Sequence, residues 1–318
     1  MELQTKISLK PEKNQIDYQS QLLILGSCFA ENIGEKLEHF KFQNFQNPFG
    51  ILFHPLAIEK LVSKAIQKEM FSETDIFFLN GRWHCFDAHS DLSNPSKEKL
   101  LEELNSVLEK TNHQIAKSTH ISITLGTAWI YRNLKTNSVV ANCHKVPQKE
   151  FSKELLSVEE IQNSLVRTIE SIHAINKNVE FIFTVSPVRH LKDGFVENQR
   201  SKAHLIAAIH NLQSFQSESR NVSYFPSYEL IMDELRDYRF YAADMIHPNQ
   251  TAIDYIWEKF VEVWVSLKVH TIMEKVETIQ KGLQHRPFNP NSEQHEAFLK
   301  SLDMKITYLQ QDYPFMKF

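Results

Sequence analysis

The sequence predicts an α/β protein, specifically a three-layer α/β/α sandwich built on a parallel β-sheet. Four or five short runs of aliphatic and aromatic residues are typical of buried strands, and they alternate with amphipathic stretches of helical spacing. This alternation favours a sheet that helices cover on both faces. Two hairpin patterns are predicted to be insertions at the strand ends, and a helical C-terminal extension is expected to pack on the sandwich.

The predicted elements follow one another in a regular order. Strands are expected at 21–25, from about 42, and at 121–125, 179–185 and 222–225. Helices are expected over 28–40, 55–68, 96–112, 157–175, 197–217, 251–285 and 293–311. The first hairpin spans 76–86, where Asn80-Gly81 supplies the positive φ angles of a two-residue turn, and the second spans 129–142.

Composition bounds the class of protein. The chain has 318 residues, of which 42% are hydrophobic and 23% are charged, as in an ordinary globular protein. No low-complexity linker divides it, and we expect one domain over 1–265 with a helical extension over 266–318. These last helices could cap the site or form the interface of a homodimer.

Charge and hydropathy exclude several partners. The formal net charge of −4 at pH 7 offers no electrostatic case for binding nucleic acid or an anionic membrane. The N-terminus shows no apolar signal segment, and no run reaches the roughly 18 apolar residues of a membrane span. A cytoplasmic location is therefore expected.

The stretch at residues 22–30 combines a strand, a sharp turn and the start of a helix. Residues 22–25 are aliphatic, Gly26 lets the backbone turn, and Ser27 can cap a helix that begins near Cys28. Such a turn presents one side chain and free backbone N–H groups at the edge of the sheet. A hydroxyl or thiol there is a candidate nucleophile, and the structural alternative is a simple capped turn.

Polar residues follow each predicted strand, at the sheet edge where parallel α/β proteins bind ligands. Those singled out are Ser27, Cys28, Asn47, Gly50, Thr127, Arg189 and His190. Asn142, His144 and Lys145 follow a hairpin strand that could fold over the pocket, where they could bind a carboxylate or phosphate or lie at the surface. Arg189 could clamp an anionic substrate or pair with Asp193 within its loop.

Asp244 and His247 form the most informative pair. A carboxylate three residues before an imidazole in a tight loop can accept the Nδ1 proton and leave Nε2 free as a base. The alternative is an aspartate that caps a helix beside a surface histidine. The candidate nucleophile at the other end of the chain favours the catalytic interpretation.

Residues 26–30 read Gly-Ser-Cys-Phe-Ala, the motif after which the GSCFA family is named. Further segments resemble the same family: Asn-Pro-Phe-Gly at 47–50, Asn-Cys-His-Lys at 142–145, Ser-Pro-Val-Arg-His at 186–190 and Asp-Gly at 193–194. The resemblance covers most of the chain to about residue 265. That family in turn resembles the SGNH (GDSL-type) hydrolases, which implies a flavodoxin-like α/β/α sandwich.

The resemblance also implies a catalytic site. The turn after the first strand would supply the nucleophile, and Asp244 and His247 match the Asp-x-x-His pair that completes the triad. Gly50 looks like the SGNH glycine whose N–H helps to form the oxyanion hole, and the N–H groups at the start of the first helix would be further donors.

Two departures from the SGNH pattern affect this site. The usual motif places the nucleophile two residues after glycine, a position held here by Cys28 rather than Ser27, so both stay candidates. The oxyanion asparagine is absent, because Ala128 stands at its position. Three residues could replace this donor: Asn47, Thr127 and Asn142.

The three cysteines are widely spaced. Cys28, Cys85 and Cys143 form no Cys-x-x-Cys pair, so neither a zinc site nor a disulfide framework is predicted, and no metal or organic cofactor is expected. At a helix N-terminus near His247, Cys28 is expected to favour the thiolate. The alternative is a small buried hydrophobic residue.

These observations predict an SGNH-like ester hydrolase or acyltransferase that acts on an acylated small molecule or a carbohydrate ester. The alternative is a non-catalytic ligand-binding module on the same fold, which the missing asparagine favours. A phosphate-binding α/β protein is a third possibility, but the sequence has no Gly-rich phosphate loop.

Overall fold

The computed structural model describes residues 4–214 and 221–318. The strands in chain order are β1 (Gln21–Gly26), β2 (Gln43–Gln46), β3 (Ile76–Leu79), β4 (Arg82–Cys85), β5 (His120–Leu125), β6 (Trp129–Asn133), β7 (Val139–Val140), β8 (Phe151–Leu155), β9 (Glu180–Val185) and β10 (Val222–Phe225). Five of them form a parallel sheet in the spatial order β10-β9-β5-β1-β2. Counted along the chain this is the order 2-1-3-4-5 of flavodoxin-like sheets, so the predicted fold class is confirmed.

Helices cover both faces of this sheet. They are α1 (Cys28–His39), α2 (Pro55–Gln67), α3 (Lys97–Lys117), α4 (Val158–His173), α5 (Phe195–Ser214), α6 (Ser227–Glu229, continued by a π-helical stretch Leu230–Leu235), α7 (Gln250–Trp264), α8 (His270–Gln284) and α9 (Glu293–Asp312). Short 3₁₀ turns lie at Glu73–Asp75, Ser90–Leu92, Gln148–Glu150, Leu191–Asp193, Tyr238–Phe240 and Leu267–Val269. The predicted end of the fifth helix, at 217, lies outside the described residues.

The alternation of side chains along β1 divides the core into two layers. Leu23 and Leu25 are buried against α2, α3, α4 and α5 on one face. Leu22 and Ile24 are buried against α1, α7, α8 and α9 on the other. Because helices cover β1 on both faces, each of its four consecutive aliphatic residues is buried, which is why they form a continuous apolar run in the sequence.

Two antiparallel insertions lie outside the central sheet. β3 and β4 form the predicted hairpin, with Asn80 at φ 50° and Gly81 at φ 80° in its turn. In the second insertion β6 pairs with β7 and also with β8, a strand that the sequence did not reveal. Its sequence, Phe-Ser-Lys-Glu-Leu, mixes polar and apolar residues because it is an edge strand, and Arg132 of β6 binds Glu154 across the pair at 2.9 Å.

The helix predicted over 251–285 is two helices. Val265 leaves α7 in an extended conformation and bridges Ile16, whose carbonyl accepts the N–H of Ser266 at 2.9 Å. Apolar residues continue through this break, so periodicity could not reveal it. The backbone of Ile16, in the segment before β1, here forms hydrogen bonds with backbone groups that would otherwise continue the helix.

The C-terminal helices pack on the layer that contains α1. His39 of α1 contacts Glu277 of α8 at 2.6 Å, and Leu302 and Leu309 of α9 are buried in the same core. The boundary between 1–265 and 266–318 stays a prediction. Within residues 4–214 and 221–318, no helix combines the length and the apolar character needed to cross a bilayer.

We expect Gly26→Ala to destabilise the protein by about 3 kcal/mol or more. A Cβ on Gly26 would stand 2.1 Å from the carbonyl oxygen of Thr124, and its φ of +135° disfavours any side chain. Gly81→Ala is the matched control, because Gly81 has φ +80° but no atom within 4 Å of the added Cβ, and it should cost about 1–2 kcal/mol. Urea unfolding followed by circular dichroism measures both, and equal losses would contradict the importance of the close approach.

Candidate active site

The turn after β1 is held by backbone and side-chain hydrogen bonds from three directions. Gly26 N–H donates to Asn47 Oδ1 at 2.9 Å, and Leu52 N–H donates to the carbonyl of Gly26 at 2.9 Å. Ser27 N–H donates to the carbonyl of Thr124 in β5 at 3.0 Å. The turn therefore lies between β1 and β5, at the point where the strand order reverses and such folds bind ligands.

Ser27 and Cys28 have different surroundings. Ser27 is 0% exposed, and its Oγ makes neither a capping hydrogen bond to α1 nor any other within the described residues. Cys28 is the first residue of α1 and is partly exposed. Of the two candidate nucleophiles, Cys28 is the residue with solvent exposure, and its side chain also packs against the core layer that contains α1.

Opposing effects act on the pKa of the Cys28 thiol. Burial raises its pKa above the ordinary value, and the carboxylate of Glu31, one turn along α1, raises it further. The charge of Lys202 and the backbone N–H groups of Cys28 and Phe29 lower that pKa. The net direction is upward, so the expectation of a ready thiolate is not met, because burial outweighs the helix N-terminus. A thiol with a raised pKa needs a base to react as a nucleophile.

Asp244 and His247 make the contact that their spacing predicts. Asp244 Oδ2 accepts from His247 Nδ1 at 2.6 Å, and Oδ1 accepts the backbone N–H groups of Ile246 and His247 at 2.9 and 3.0 Å. The N–H of His247, followed by its imidazole and the N–H of Ile246, lowers the pKa of Asp244 to about 2. The carboxylate stays ionised at neutral pH and orients the imidazole.

The loop of Asp244 and His247 lies at the end of β9. Ile246 accepts the N–H of Arg189 at 3.2 Å, and Arg189 lies just beyond β9. The His247 imidazole is half exposed, and its Nε2 has no hydrogen-bond partner in the part of the chain that the structure describes. This leaves Nε2 available to a substrate or to a reacting proton.

Lys202 is a site residue that sequence reasoning missed. It is 0% exposed, and its Nζ donates to the carbonyls of Gly126 and Ser186, at 2.7 Å each, just beyond β5 and β9. Burial lowers its pKa to about 7, although the thiolate of Cys28 would raise it. The signal was present in the sequence: Lys202 shares one helical stripe with the buried Leu205 of α5.

His190 lies beside this ammonium group. Its Nε2 is buried without a hydrogen-bond partner, and burial, Lys202 and His247 together lower its pKa to about 3. A Cβ on Gly126 would stand 3.1 Å from His190 Nε2 and 3.3 Å from Ser27 Cβ. Two buried polar atoms without hydrogen-bond partners, His190 Nε2 and Ser27 Oγ, thus belong to residues that lie against Gly126. A side chain at position 126 would crowd both residues.

Gly50 is not arranged as an oxyanion donor. Its N–H donates to the carbonyl of Asn47 at 2.7 Å within the Asn-Pro-Phe-Gly turn. Its φ is +73°, and a Cβ there would lie 2.3 Å from His89 Cβ, so glycine is required for backbone geometry and packing. The role implied by the resemblance is not supported, because the N–H is already bonded.

Asn47 and Thr127 are also engaged structurally. The Asn47 amide accepts from Gly26 through Oδ1 and donates to Glu31 Oε1 at 3.4 Å. Thr127 Oγ1 contacts Ser201 Oγ at 3.0 Å and accepts the N–H of Trp129 at 3.0 Å. Neither side chain is free to replace the missing asparagine, because each already holds a loop in place.

The Asn-Cys-His-Lys segment is anchored rather than open. His144 is buried, donates through Nε2 to the carbonyl of Cys85 at 2.6 Å and accepts at Nδ1 from Ser90 Oγ at 3.2 Å. Burial lowers its pKa to about 4. Asn142 Oδ1 accepts the N–H of His144 at 2.8 Å. His144 is thus neither a ligand for a substrate anion nor a surface residue, because both ring nitrogens hold the loop.

Arg189 does not pair with Asp193. Its guanidinium carbon lies 4.1 Å from the ring centroid of Tyr241 and 5.3 Å from that of Tyr238, and Asp193 pairs with Lys153 instead. The three aromatic and cationic side chains line a cavity of about 180 Å³. Among the described residues, no group of three or more His, Cys, Asp or Glu side chains could hold a metal ion.

Comparisons with known proteins identify a family. The GSCFA family matches residues 21–260, and the GSCFA domain protein C-terminal domain matches residues 276–318. No curated protein matches the chain. Among solved structures, a carbohydrate esterase family 3 protein from Talaromyces cellulolyticus is similar, with 11% identity and a TM-score of 0.29. That match covers 51% of this chain and 64% of the esterase, less than two thirds of its length.

We expect Lys202→Met to raise the pKa of Cys28 further, because it removes a neighbouring cation that lowers this pKa. Cys28 should then react more slowly with iodoacetamide at neutral pH. Mass spectrometry of the alkylated peptide over a pH series measures this change. Arg200→Met on the same helix, 58% exposed, is the matched control and should leave the profile unchanged. An unchanged profile in a folded Lys202→Met protein would show that the two groups are not coupled.

Proposed function

We propose that this chain, which belongs to the GSCFA family, is an SGNH-type ester hydrolase or acyltransferase with Cys28, His247 and Asp244 as its triad. Its substrate is an acylated small molecule or a carbohydrate ester. The observation that carries the proposal is the 2.6 Å contact between His247 Nδ1 and Asp244 Oδ2, at the sheet edge that also presents Cys28. A paired carboxylate and imidazole with a free Nε2 are the elements of a nucleophile-activating base.

In the first half of the reaction, His247 Nε2 takes the proton of the Cys28 thiol as Sγ attacks the ester carbonyl carbon. The raised pKa of Cys28 makes this base necessary. Asp244 is ionised at neutral pH and stabilises the imidazolium that forms. The tetrahedral intermediate collapses, the alkoxide leaves with the proton from His247, and the acyl group stays on Sγ as a thioester.

In the second half, a water or an acceptor hydroxyl attacks the thioester. His247 takes the proton of this nucleophile and returns it to Sγ as the thiol leaves. Water as the nucleophile gives a hydrolase, and a sugar or other hydroxyl gives an acyltransferase. Two features support either outcome equally: the exposed imidazole and the partly exposed thiol.

Three donors would stabilise the oxyanion. The backbone N–H groups of Cys28 and Phe29 lower the pKa of the Cys28 thiol, so they lie beside its sulfur. They would therefore lie close to any carbonyl that is bonded to this sulfur. The third is His190, which is neutral because its pKa is about 3, and whose unpartnered Nε2 can carry a proton beside Gly126. It would take the place of the missing asparagine, since preorganised donors of this kind lower the barrier most.

A non-catalytic binding module is the second candidate. The engaged N–H of Gly50 and the absence of an asparagine at Ala128 favour it, because two oxyanion donors of the SGNH pattern are lost. The loss of one such donor costs about 100- to 1,000-fold in rate. Turnover of simple esters separates the two candidates.

Cys28→Ala and His247→Ala are each expected to lower p-nitrophenyl acetate turnover by about 1,000-fold or more. Ser27→Ala should keep most of the activity, because its hydroxyl is buried. Cys85→Ala is the control for the loss of a thiol elsewhere in the fold, because Cys85 is buried in β4 and does not line the neighbouring cavity. Full activity in Cys28→Ala, with loss in Ser27→Ala, would assign the nucleophile to the hydroxyl, and no turnover by the wild-type protein would favour the binding module.

We expect Asp244→Asn to lower kcat by about 100- to 10,000-fold, because an amide cannot hold the imidazole in the required tautomer. Asp237→Asn is the control, since Asp237 is an exposed aspartate that pairs with Arg239 in the preceding loop. Steady-state kinetics on p-nitrophenyl butyrate measures both variants. Equal rates for Asp244→Asn and the wild-type protein would remove the aspartate from the mechanism.

A further inference from the structure

A cavity of about 400 Å³ lies beside the proposed catalytic groups. Its inner end is formed by Thr127 and His190, and Trp129 and Tyr131 form an aromatic wall. The insertion that contains β6, β7 and β8 supplies most of the lining, and residues of the sandwich such as His190 and Lys192 supply the rest, so the cavity lies between the inserted sheet and the sandwich. His190 lines this cavity and lies close enough to Lys202 and His247 for their charges to lower its pKa, so the cavity borders the proposed catalytic groups.

The charges that line this cavity are mostly positive. Three lysines and one aspartate contribute: Lys145, Lys153, Lys192 and Asp193. Asp193 pairs with Lys153, whose ammonium also lies 4.5 Å from the ring centroid of Trp129. Lys145 and Lys192 have no ion-pair partner among the described residues, so two uncompensated cations face the cavity in a protein whose net charge is −4.

The remaining titratable groups of the cavity do not cancel these cations. Burial lowers the pKa of His54 to about 4 and that of His190 to about 3, so both rings are neutral at physiological pH. The thiol of Cys143 also lines the cavity, and burial raises its pKa although the nearby ammonium of Lys192 acts in the opposite direction. A protonated thiol and two neutral rings leave the positive charge of the lysines unopposed.

Lys145 is held at the cavity by a constrained loop. His144 and Lys145 have consecutive positive φ angles, of 47° and 63°, a conformation that costs about 1 kcal/mol or more per residue. The buried and doubly bonded His144 ring keeps the loop in this shape. The result is that Lys145 turns to the cavity while its neighbour points into the core.

We infer that this cavity is a binding subsite for an oxyanion group, a carboxylate or a phosphate, carried by the substrate, with Lys145 and Lys192 as its cationic ligands. The aromatic wall contacts the apolar part of the same substrate. The substrate class is therefore an anionic ester rather than a neutral one. This assignment of substrate rests on the proposed function, whereas anion binding by the cavity does not.

Binding is tested without turnover. Isothermal titration calorimetry with phenyl phosphate and with benzoate should show binding that benzyl alcohol lacks. The double variant Lys145→Gln/Lys192→Gln should weaken that binding by about tenfold, as expected for two partly screened charges. Lys149→Gln is the matched control, because this exposed lysine lies between the cavity segments but does not line the cavity. Cys28→Ala should bind the anions like the wild-type protein.

Steady-state kinetics then test whether the anionic group belongs to the acyl part or to the alcohol part of the substrate. Mono-p-nitrophenyl succinate against p-nitrophenyl butyrate tests an anionic acyl group, and 4-acetoxyphenyl phosphate against phenyl acetate tests an anionic alcohol. For the preferred anionic ester, the double variant should raise KM by about tenfold at unchanged kcat, and the neutral ester should not respond.

The outcomes separate the two proposals. Anion binding without any ester turnover leaves the subsite intact and overturns the proposed function. No binding of either anion to the wild-type protein, or equal binding by the double variant, overturns the subsite. Ester turnover with no preference for an anionic ester overturns the assignment of the substrate class.

Discussion

The site depends on the close approach of β1 to β5 at Gly26. The backbone of Gly26 passes so near to the carbonyl of Thr124 that a Cβ would stand 2.1 Å from its oxygen. The carboxamide of Asn47 then fixes the Gly26 N–H, and the chain turns directly into α1. Because of this turn, Cys28 becomes the first residue of the helix, with two backbone N–H groups beside its sulfur. A longer or looser turn would lose that arrangement.

Burial shifts the pKa values of the titratable groups at the sheet edge. A lysine, a histidine and a cysteine share a region with little solvent, and burial disfavours the charged form of each: the pKa values of Lys202 and His190 fall and that of Cys28 rises. Such opposed shifts cluster at functional sites. Lys202 connects the carbonyls of Gly126 and Ser186, so the same side chain supports the sheet edge and sets the charge beside the thiol.

The inserted strands give the sandwich its specific pocket. The α/β/α sandwich supplies the turn after β1, the loop of His247 and the buried Lys202 of α5, whereas the insertion of β6, β7 and β8 supplies the aromatic wall of the cavity next to them and Lys145. His144, for which the sequence left open an anion ligand or a surface residue, instead anchors the loop that carries Lys145. In α/β folds the sandwich commonly forms a rigid scaffold, and the segments inserted at its strand ends differ between proteins and carry much of the binding surface.

The architecture could be predicted from the sequence because its signals are local. The apolar run of β1, the Asn80-Gly81 turn and the spacing of Asp244 and His247 each depend on neighbours within a few residues. The hydrogen bonds of Lys202 and the unpartnered Nε2 of His190 needed the folded chain. Lys202 meets the carbonyl of Gly126 from 76 positions away, and no local pattern records which carbonyl or void will meet a side chain. The N–H of Gly50 bonds within its own turn, to Asn47, but the sequence does not reveal that it is engaged.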